Sequence, residues 1–189
     1  MLKDLVLRNR SYRRFDETTV VSRDTLVELV ELARLSPSAA NRQPLRFILS
    51  AAPDFNHKIF PCLRWAGYLT DWAGPQPGER PTAYIVILKD KRIAGSETPD
   101  HGIAAQSMML GAVEKGLGGC MIGSIDRDAL RMVLGVQDHF EIVLVLALGK
   151  PGETVVVEEV REGNIKYWRD TDGVHHVPKR AIRDLILGD

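Results

Sequence analysis

The sequence has little cysteine and no net charge, and both properties exclude classes of protein. Its 189 residues contain two cysteines, Cys62 and Cys120, which lie far apart and lack the spacing of a metal site. Two isolated thiols favour a reducing compartment, so we expect free thiols in a cytoplasmic protein. The 25 basic and 25 acidic residues cancel, which removes the electrostatic basis for binding nucleic acid.

Long hydrophobic runs, internal repeats and several catalytic motifs are also absent. No segment reaches the roughly 20 apolar residues that span a bilayer, and residues 1–10 lack the apolar core of a signal peptide. We therefore expect neither a membrane span nor a leader. The sequence contains no Gly-x-Ser-x-Gly, Walker, His-Glu-x-x-His or Cys-x-x-Cys pattern. Its length suits a single domain, residues 1–189.

Residues 102–113 carry no charge and are rich in alanine, methionine and leucine. This composition predicts a helix that is apolar nearly all round, and such a helix belongs in a protein core. Glycines within residues 116–119 follow, and glycine can lie against a flat ligand at positive φ. A short predicted strand then ends at Ile122, Gly123 and Ser124. This segment fits a backbone surface that contacts a cofactor, and it also fits a core helix that ends in a glycine C-cap. The local pattern alone favours the core helix.

A basic segment lies near the N-terminus. Its four arginines fall within seven positions: Arg8, Arg10, Arg13 and Arg14. Like charges this close repel one another unless an anion lies among them, and the planar guanidinium suits phosphate or carboxylate. Ser11 adds a hydroxyl group. An anion site and a solvated basic turn both fit this pattern.

Two prolines, Pro37 and Pro44, enclose a loop of small polar residues. Within it, Ser38, Asn41 and Gln43 supply uncharged groups that can both donate and accept hydrogen bonds. A heterocycle with a mixed donor and acceptor edge needs such groups. An ordinary turn stabilised by serine and asparagine is the alternative.

An aromatic region, residues 54–72, is interrupted by glycine and proline. Trp65, Tyr68 and Trp72 are candidates for a lid over an apolar pocket. Local packing of these rings under a long loop fits equally well.

Apolar runs and turn residues predict most of the regular structure. Ser22 is a candidate helix N-cap, and Pro37 ends that helix. Buried strands are predicted at residues 47–49, 83–88 and 142–148. Further helices are predicted at residues 2–9, 126–133 and 182–187.

The C-terminal region contains a hairpin signal. Asp172 and Gly173 lie between two short runs of β-prone residues. The adjacent His175 and His176 point to opposite faces of the predicted strand, so we expect no metal site there.

These features together favour a planar anionic cofactor that supplies its own redox chemistry. They are the donor-rich loops, the basic segment, the bare glycine backbone and the aromatic rings. In this combination the sequence resembles the FMN-dependent nitroreductase family. The resemblance is carried by Arg10-Ser11-x-Arg13-x-Phe15, Pro37-Ser38-Ala39-x-Asn41-x-Gln43-Pro44, Asp100-x-Gly102-Ile103-Ala104-Ala105-Gln106, Gly116-Leu117-Gly118, Ile122-Gly123-Ser124 and Pro178-Lys179-Arg180. Asn9 stands where many members have another arginine. Gly123 stands where some have an acidic residue, so no side chain acts there.

The resemblance implies a role for each matched segment. The arginine segment and the C-terminal basic pair hold the FMN phosphate, the proline-bounded loop reaches the flavin from the other subunit, and the backbone of Gly123 and Ser124 faces the flavin ring. The residues it assigns to the cofactor are Arg10, Ser11, Arg13, Pro37, Ser38, Ala39, Asn41, Gln43, Ile122, Gly123, Ser124, Lys179 and Arg180. Trp65, Tyr68 and Trp72 are our candidates for the acceptor pocket.

The same resemblance implies an α+β fold. It has a mixed sheet of about four or five strands flanked by helices, a buried central helix at a dimer interface and a C-terminal arm that crosses to the partner. It implies a homodimer with FMN bound between the subunits.

The function it implies is NAD(P)H-dependent reduction of a small acceptor, such as a nitroaromatic or a quinone, by a ping-pong mechanism. Two alternatives stay open at this point. One is a specialised flavin enzyme of the dehalogenase or flavin-destruction type, and the other is a flavin-binding sensor without turnover.

Overall fold

The computed structural model describes residues 1–95 and 98–188. The α-helices in this part of the chain are α1 (Leu2–Arg8), α2 (Arg23–Leu35), α3 (Pro53–Ile59), α4 (Asp100–Glu114) and α5 (Arg127–Leu134). No helix within these described residues is long and apolar enough to cross a membrane.

Side-chain caps explain where two of the helices begin. Ser22 Oγ accepts a 3.1 Å hydrogen bond from the Thr25 N–H, which confirms the predicted N-cap of α2. Asp126 Oδ1 accepts a 3.1 Å bond from the Ala129 N–H at the start of α5. The last residue of α2 is Leu35, two positions before Pro37.

Eight strands are present in the described residues. They are β1 (Phe15–Asp16), β2 (Leu45–Ser50), β3 (Ala83–Asp90), β4 (Gly118–Ile122), β5 (Phe140–Pro151), β6 (Val155–Glu159), β7 (Trp168–Arg169) and β8 (His175–Lys179). The predicted strands at 47–49, 83–88 and 142–148 all lie within these bounds.

The long strand β5 organises a five-stranded sheet of order β1-β5-β3-β2, in which β4 also pairs with β5. Cys120 of β4 lies opposite Ala147, and Phe15 of β1 lies opposite Pro151, so β4 and β1 follow one another along the same edge of β5. These pairings are antiparallel. The parallel component of the predicted mixed sheet is a single bridge between Ser11 and Gly119.

A second sheet of three strands, ordered β6-β8-β7, is built from the C-terminal region. The predicted hairpin is confirmed, because β7 pairs antiparallel with β8. Strand β6 pairs with β8 in parallel, with Val155 opposite His175. The predicted helix at 182–187 is wrong, since only a single 3-10 turn forms at Ile182–Asp184. Its apolar side chains are exposed, and so short a segment has no tertiary packing to stabilise a helix.

The alternation of side chains along β3 divides the core into two layers. Ile85 and Ile87 pack with α2 and α4 on one face of the sheet. Tyr84, Val86 and Leu88 pack with α3 and α5 on the other. All eight residues of β3 are buried, which is typical of a strand covered on both faces.

The predicted core helix is α4, and most of its surface is buried within the protomer. Ala105 is 0% exposed. A β-carbon on Gly111 would lie 2.2 Å from Leu32 Cδ1, so the lack of a side chain lets α2 approach closely. The exposed part of α4 includes Gly102, Ile103 and Gln106. Any contact between α4 and a partner must therefore use that narrow face.

Candidate functional site

A cavity of about 150 Å³ lies at the end of β4. It brings together Arg13, Trp65, Ile122, Gly123 and Ser124, which come from three distant parts of the sequence. Arginine thus shares one space with the bare backbone at the end of the strand. This geometry offers a positive charge and peptide groups to a planar anionic ligand.

Arg13 reaches the cavity because the segment before β1 lies along the sheet. Ser11 bridges to Gly119, and the Tyr12 N–H donates a 2.9 Å hydrogen bond to the Gly119 carbonyl. A β-carbon on Gly118 would lie 2.5 Å from the Tyr12 ring. Gly118, the first residue of β4, is therefore needed for close packing of the arginine segment.

The turn after β4 is open on its outer side. A β-carbon at Gly123 would meet nothing within 4 Å. The turn is anchored through its carbonyl groups, since Arg64 N–H donates to the Ser124 carbonyl at 3.0 Å and Arg127 Nη2 donates to the Gly123 carbonyl at 3.3 Å. The chain's own contacts thus hold the turn in place while leaving space beside Gly123.

Arg10 lies at the end of α1 and is only partly satisfied. Its Nη2 donates a 2.7 Å hydrogen bond to the Val6 carbonyl. Its Nε is buried and has no acceptor among the described residues. Asn9, beside it, donates to Gln106 Oε1 of α4 at 3.3 Å. A buried guanidinium nitrogen without an acceptor suits an anionic ligand.

The loop between α2 and β2 is held in an unusual backbone conformation. Ala40, Asn41 and Gln43 have φ values of 48°, 52° and 50°. Non-glycine residues in this left-handed region cost about 1–2 kcal/mol each. Such strain persists only where neighbouring groups fix the backbone, and it is concentrated at functional sites.

A buried carboxylate supplies that fixation. Asp100 at the start of α4 is 4% exposed. It accepts a 2.5 Å hydrogen bond from Ser38 Oγ and a 3.2 Å bond from the Ala39 N–H. Ser38 Oγ in turn accepts a 2.9 Å bond from the Gln43 N–H. Burial raises the pKa of Asp100, but hydrogen bonds, including those from Ser38 and the Ala39 N–H, outweigh this effect and lower the pKa below its ordinary value.

The proline-bounded loop does not meet Arg13 within one protomer. Pro37, Ser38 and Gln43 line a separate cavity of about 290 Å³, together with Asp100 and Ala104. Ala39 and Asn41 form the 3-10 turn Ala39–Asn41 of the same loop. In a single chain these loop residues therefore form a second group, separate from the group at Arg13.

Lys179 and Arg180 form a third, separate group at the end of β8. Both are exposed. Lys179 lies opposite Glu159 of β6, and its carbonyl accepts a 3.0 Å bond from the Val160 N–H. The described residues show no contact between this basic pair and Arg10 or Arg13.

The three aromatic candidates have different surroundings. Trp65 lines the cavity at the end of β4. The Tyr68 ring lies 4.9 Å from the Tyr167 ring, between centroids. Trp72 faces the guanidinium of Arg169 at 4.8 Å. Trp65 is thus the candidate that the structure places beside Gly123.

Two residues that the sequence did not link to the arginine segment contact it. Glu153 accepts hydrogen bonds from the Arg13 N–H (2.5 Å), the Arg14 N–H (3.1 Å) and Arg169 Nη2 (2.8 Å). His175 Nε2 lies 3.1 Å from Arg13 Nη1. Burial, followed by the charge of Arg13, lowers the pKa of His175 to about 4. The sequence carries no local signal for these contacts, which join positions more than 130 residues apart.

His176 faces the other side of β8, as predicted. Its Nδ1 lies 2.6 Å from Glu158 Oε1, and its Nε2 lies 3.0 Å from Asp170 Oδ2. The Trp168 ring stacks on it, with centroids 4.9 Å apart and planes 4° from parallel. Hydrogen bonds to the carboxylates of Asp170 and Glu158 raise the pKa of His176. The pKa values of the two neighbouring histidines are therefore shifted in opposite directions.

Comparison with known proteins adds evidence at the level of the whole chain. A family model described as the nitroreductase family matches residues 6–67 and 68–150. A Bacillus subtilis (strain 168) protein named "Putative NAD(P)H nitroreductase MhqN" is 23% identical over 178 residues, covering 77% of this chain and 86% of that protein.

Solved structures are similar at the level of the fold. An FMN-dependent nitroreductase from Clostridium difficile R20291 has a TM-score of 0.66 at 22% identity, over 79% of this chain and 87% of that chain. A nitroreductase family protein from Clostridium novyi NT has a TM-score of 0.67 at 22% identity, over 80% of this chain and 86% of that chain.

Proposed function

The chain belongs to the nitroreductase family, and on that premise we propose that it is an FMN-dependent oxidoreductase. It takes reducing equivalents from NAD(P)H and passes them to a small acceptor such as a nitroaromatic or a quinone, by a ping-pong mechanism. The observation that carries the proposal is the cavity in which Arg13 lies together with the open backbone of Gly123 and Ser124. FMN supplies the redox chemistry when it is bound, because its ring accepts hydride and passes electrons on.

The arginine segment binds the anionic parts of the cofactor. Arg10 has a buried Nε without an acceptor among the described residues, and a phosphate oxygen satisfies such a donor. Ser11 adds a hydroxyl beside it. Lys179 and Arg180 are exposed and lie apart from Arg10 in one protomer. In a homodimer with a crossing C-terminal arm, they would complete the phosphate site of the partner subunit.

In this proposal the flavin ring would lie against the backbone at the end of β4. Gly123 has no side chain and faces open space, so a flat ring can approach its backbone. The N–H groups of Gly123 and Ser124 would donate hydrogen bonds to the ring, and Arg13 would place a positive charge near it. Fixed donors and charges of this kind stabilise the negative charge of a reduced ring.

The second group of predicted residues reaches the cofactor from a partner subunit in a homodimer. In one protomer the Ser38–Asn41–Gln43 loop and Arg13 line different cavities, and a two-fold partner provides a way to unite them. Exposed apolar side chains on the three neighbouring helices support such an interface. They are Leu2, Val6, Leu7, Leu32, Leu35 and Ile103.

Trp65 lies where an acceptor can stack beside the flavin. Trp65 lines the same cavity as Gly123, and its ring packs against Phe60 with centroids 5.9 Å apart. A supported aromatic surface of this type favours planar acceptors over flexible ones. Nitroaromatics and quinones both meet that requirement.

Titration of the apoprotein with FMN tests the proposal directly. We expect quenching of flavin fluorescence, one FMN per protomer and a dimeric mass by light scattering. Ile103→Glu, at the exposed face of α4, should give a folded monomer with weaker FMN binding, whereas Met132→Glu on α5, which is 78% exposed, should behave as the wild type. A folded wild-type protein that takes up no FMN contradicts the proposal.

A further inference from the structure

Arg13 is held from the C-terminal sheet by two side chains. His175 Nε2 lies 3.1 Å from Arg13 Nη1. The Arg13 guanidinium also lies over the Tyr167 ring, 4.7 Å from its centroid. The Tyr167 and His175 rings contact one another, with centroids 5.2 Å apart. Arg13 Nη1 also donates a 3.2 Å hydrogen bond to the Ser11 carbonyl. The guanidinium is therefore held by two hydrogen bonds from Nη1 and by an aromatic face.

The chemistry of the Arg13 guanidinium and the His175 imidazole determines which of them donates the hydrogen bond. A guanidinium has only N–H donors and stays charged, so His175 Nε2 must accept and the ring proton must lie on Nδ1. His175 is 0% exposed, and its Nδ1 has no partner among the described residues. A doubly protonated imidazole has no acceptor and would place a second positive charge beside Arg13. The geometry thus requires a neutral ring with one defined tautomer.

The strand that carries His175 is well anchored. β8 is the middle strand of its sheet, with β6 on one side and β7 on the other. The His175 N–H donates a 2.9 Å bond to the Thr154 carbonyl. Glu153, the residue before Thr154, accepts hydrogen bonds from the backbone of Arg13 and Arg14 and from the side chain of Arg169. A side chain on such a strand can hold Arg13 in a single orientation.

We propose that His175 is a positioning residue for Arg13, and that it fixes the guanidinium at the cavity by accepting a hydrogen bond on Nε2. This inference rests on the proposed FMN site. It assigns a role to a segment beyond residues 6–150, which are the part that matches the family model. The C-terminal sheet then controls the orientation of the charge at the cofactor's edge.

Two substitutions at one position separate the hydrogen bond from packing. His175→Phe keeps a ring against Tyr167 but removes the acceptor, whereas His175→Gln places an amide oxygen near the position of Nε2. FMN affinity should fall at least about tenfold in His175→Phe and stay within about threefold of wild type in His175→Gln, as expected for loss of a charge-assisted hydrogen bond. His176→Phe, on the opposite face of the same strand, is the matched control and should also stay within about threefold. Thermal melting identifies which variants are folded.

A second readout uses the apoprotein and needs no cofactor. Nitrogen-15 spectra should show His175 as the neutral Nδ1–H tautomer at pH 7, with a slowly rotating Arg13 guanidinium. The rotation should be faster in His175→Phe, where the Ser11 carbonyl is the acceptor left to Nη1, and should stay slow in His175→Gln.

The two proposals fail in different ways. If the wild type binds no FMN, the proposed function fails and the nitrogen spectra alone decide the role of His175. If the wild type binds FMN but folded His175→Phe binds it equally tightly, the positioning role is overturned while the proposed function stands. An Nε2–H tautomer at His175 overturns the positioning role in either case, including where His175→Phe does not fold.

Discussion

Ser38 Oγ donates a 2.5 Å hydrogen bond to the buried carboxylate of Asp100, 62 positions further along the chain. The bond ties the proline-bounded loop to the first residue of α4. Because a buried carboxylate needs compensating donors, the loop and the helix stabilise each other. It is also the contact that holds three non-glycine residues at positive φ.

Asp100→Asn is expected to lower the free energy of unfolding by about 1–3 kcal/mol, because an amide cannot accept both bonds and brings unpaired donors into a buried position. The loop should loosen, so FMN affinity should fall with it. Urea denaturation and FMN titration measure the two effects. The exposed Asp138→Asn makes the same chemical change elsewhere and should stay within about 0.5 kcal/mol of wild type. Equal stability of the two variants would show that the carboxylate does not hold the loop.

Ala40→Gly should raise the free energy of unfolding by about 0.5–1 kcal/mol. Glycine removes the steric strain at φ 48°, and the gain is partly offset by the larger entropy of glycine in the unfolded chain. Ala40→Val, which introduces a β-branched side chain, should lower the free energy of unfolding instead. Denaturation midpoints for the pair measure the difference, and a less stable glycine variant would contradict the strained conformation.

Gly119 and Gly123 should respond differently to a methyl group. A β-carbon at Gly119 would lie 2.3 Å from the Ala147 carbonyl oxygen, whereas one at Gly123 meets nothing within 4 Å. Gly119→Ala should therefore lose about 1–3 kcal/mol of stability, while Gly123→Ala should stay within about 0.5 kcal/mol. Calorimetry of the two apoproteins tests this contrast.

A larger side chain at Gly123 should block the cofactor without unfolding the protein. Gly123→Val is expected to keep the melting temperature of the apoprotein but weaken FMN binding at least about tenfold, because its methyl groups occupy the space assigned to the flavin ring. Unchanged affinity would place the flavin away from this turn.

His175 and His176 should give stability opposite dependences on pH. Burial lowers the folded-state pKa of His175 to about 4, below the ordinary 6.5, so between pH 4 and 6.5 the unfolded chain binds more protons and stability falls as the pH falls. The pKa of His176 is raised, so its contribution is complete below pH 6.5 and is lost as the pH rises through the folded-state pKa. Relative to His175→Gln, the wild type should lose stability from pH 7 to pH 5. Relative to His176→Gln, it should lose stability from pH 6 to pH 8.

Local patterns were sufficient to predict much of the fold. Ser22 and Pro37 mark the ends of α2, and the apolar runs at 83–88 and 142–148 become the paired central strands. The failure at 182–187 has a physical reason, since amphipathic spacing predicts a helix only where a surface covers its apolar face. Within one chain these residues have no such surface.

The sequence was sufficient to predict several residues of the candidate site, but not the contacts between them. The sequence identified Arg13, Ser38 and Gly123, and the fold places Arg13 beside Gly123. It gave no signal for Glu153 and His175 as partners of the arginine segment. Such contacts depend on how the second sheet packs against the first. The local pattern of apolar and polar residues does not predict that packing.

Anaerobic reduction of the FMN-loaded protein is the most direct test of the central claim. Added NADH or NADPH should bleach the flavin absorbance within seconds, and a quinone or nitroaromatic added afterwards should restore it without further nicotinamide. Flavin that stays oxidised with both nicotinamides would contradict the assignment of this protein as an NAD(P)H-dependent oxidoreductase.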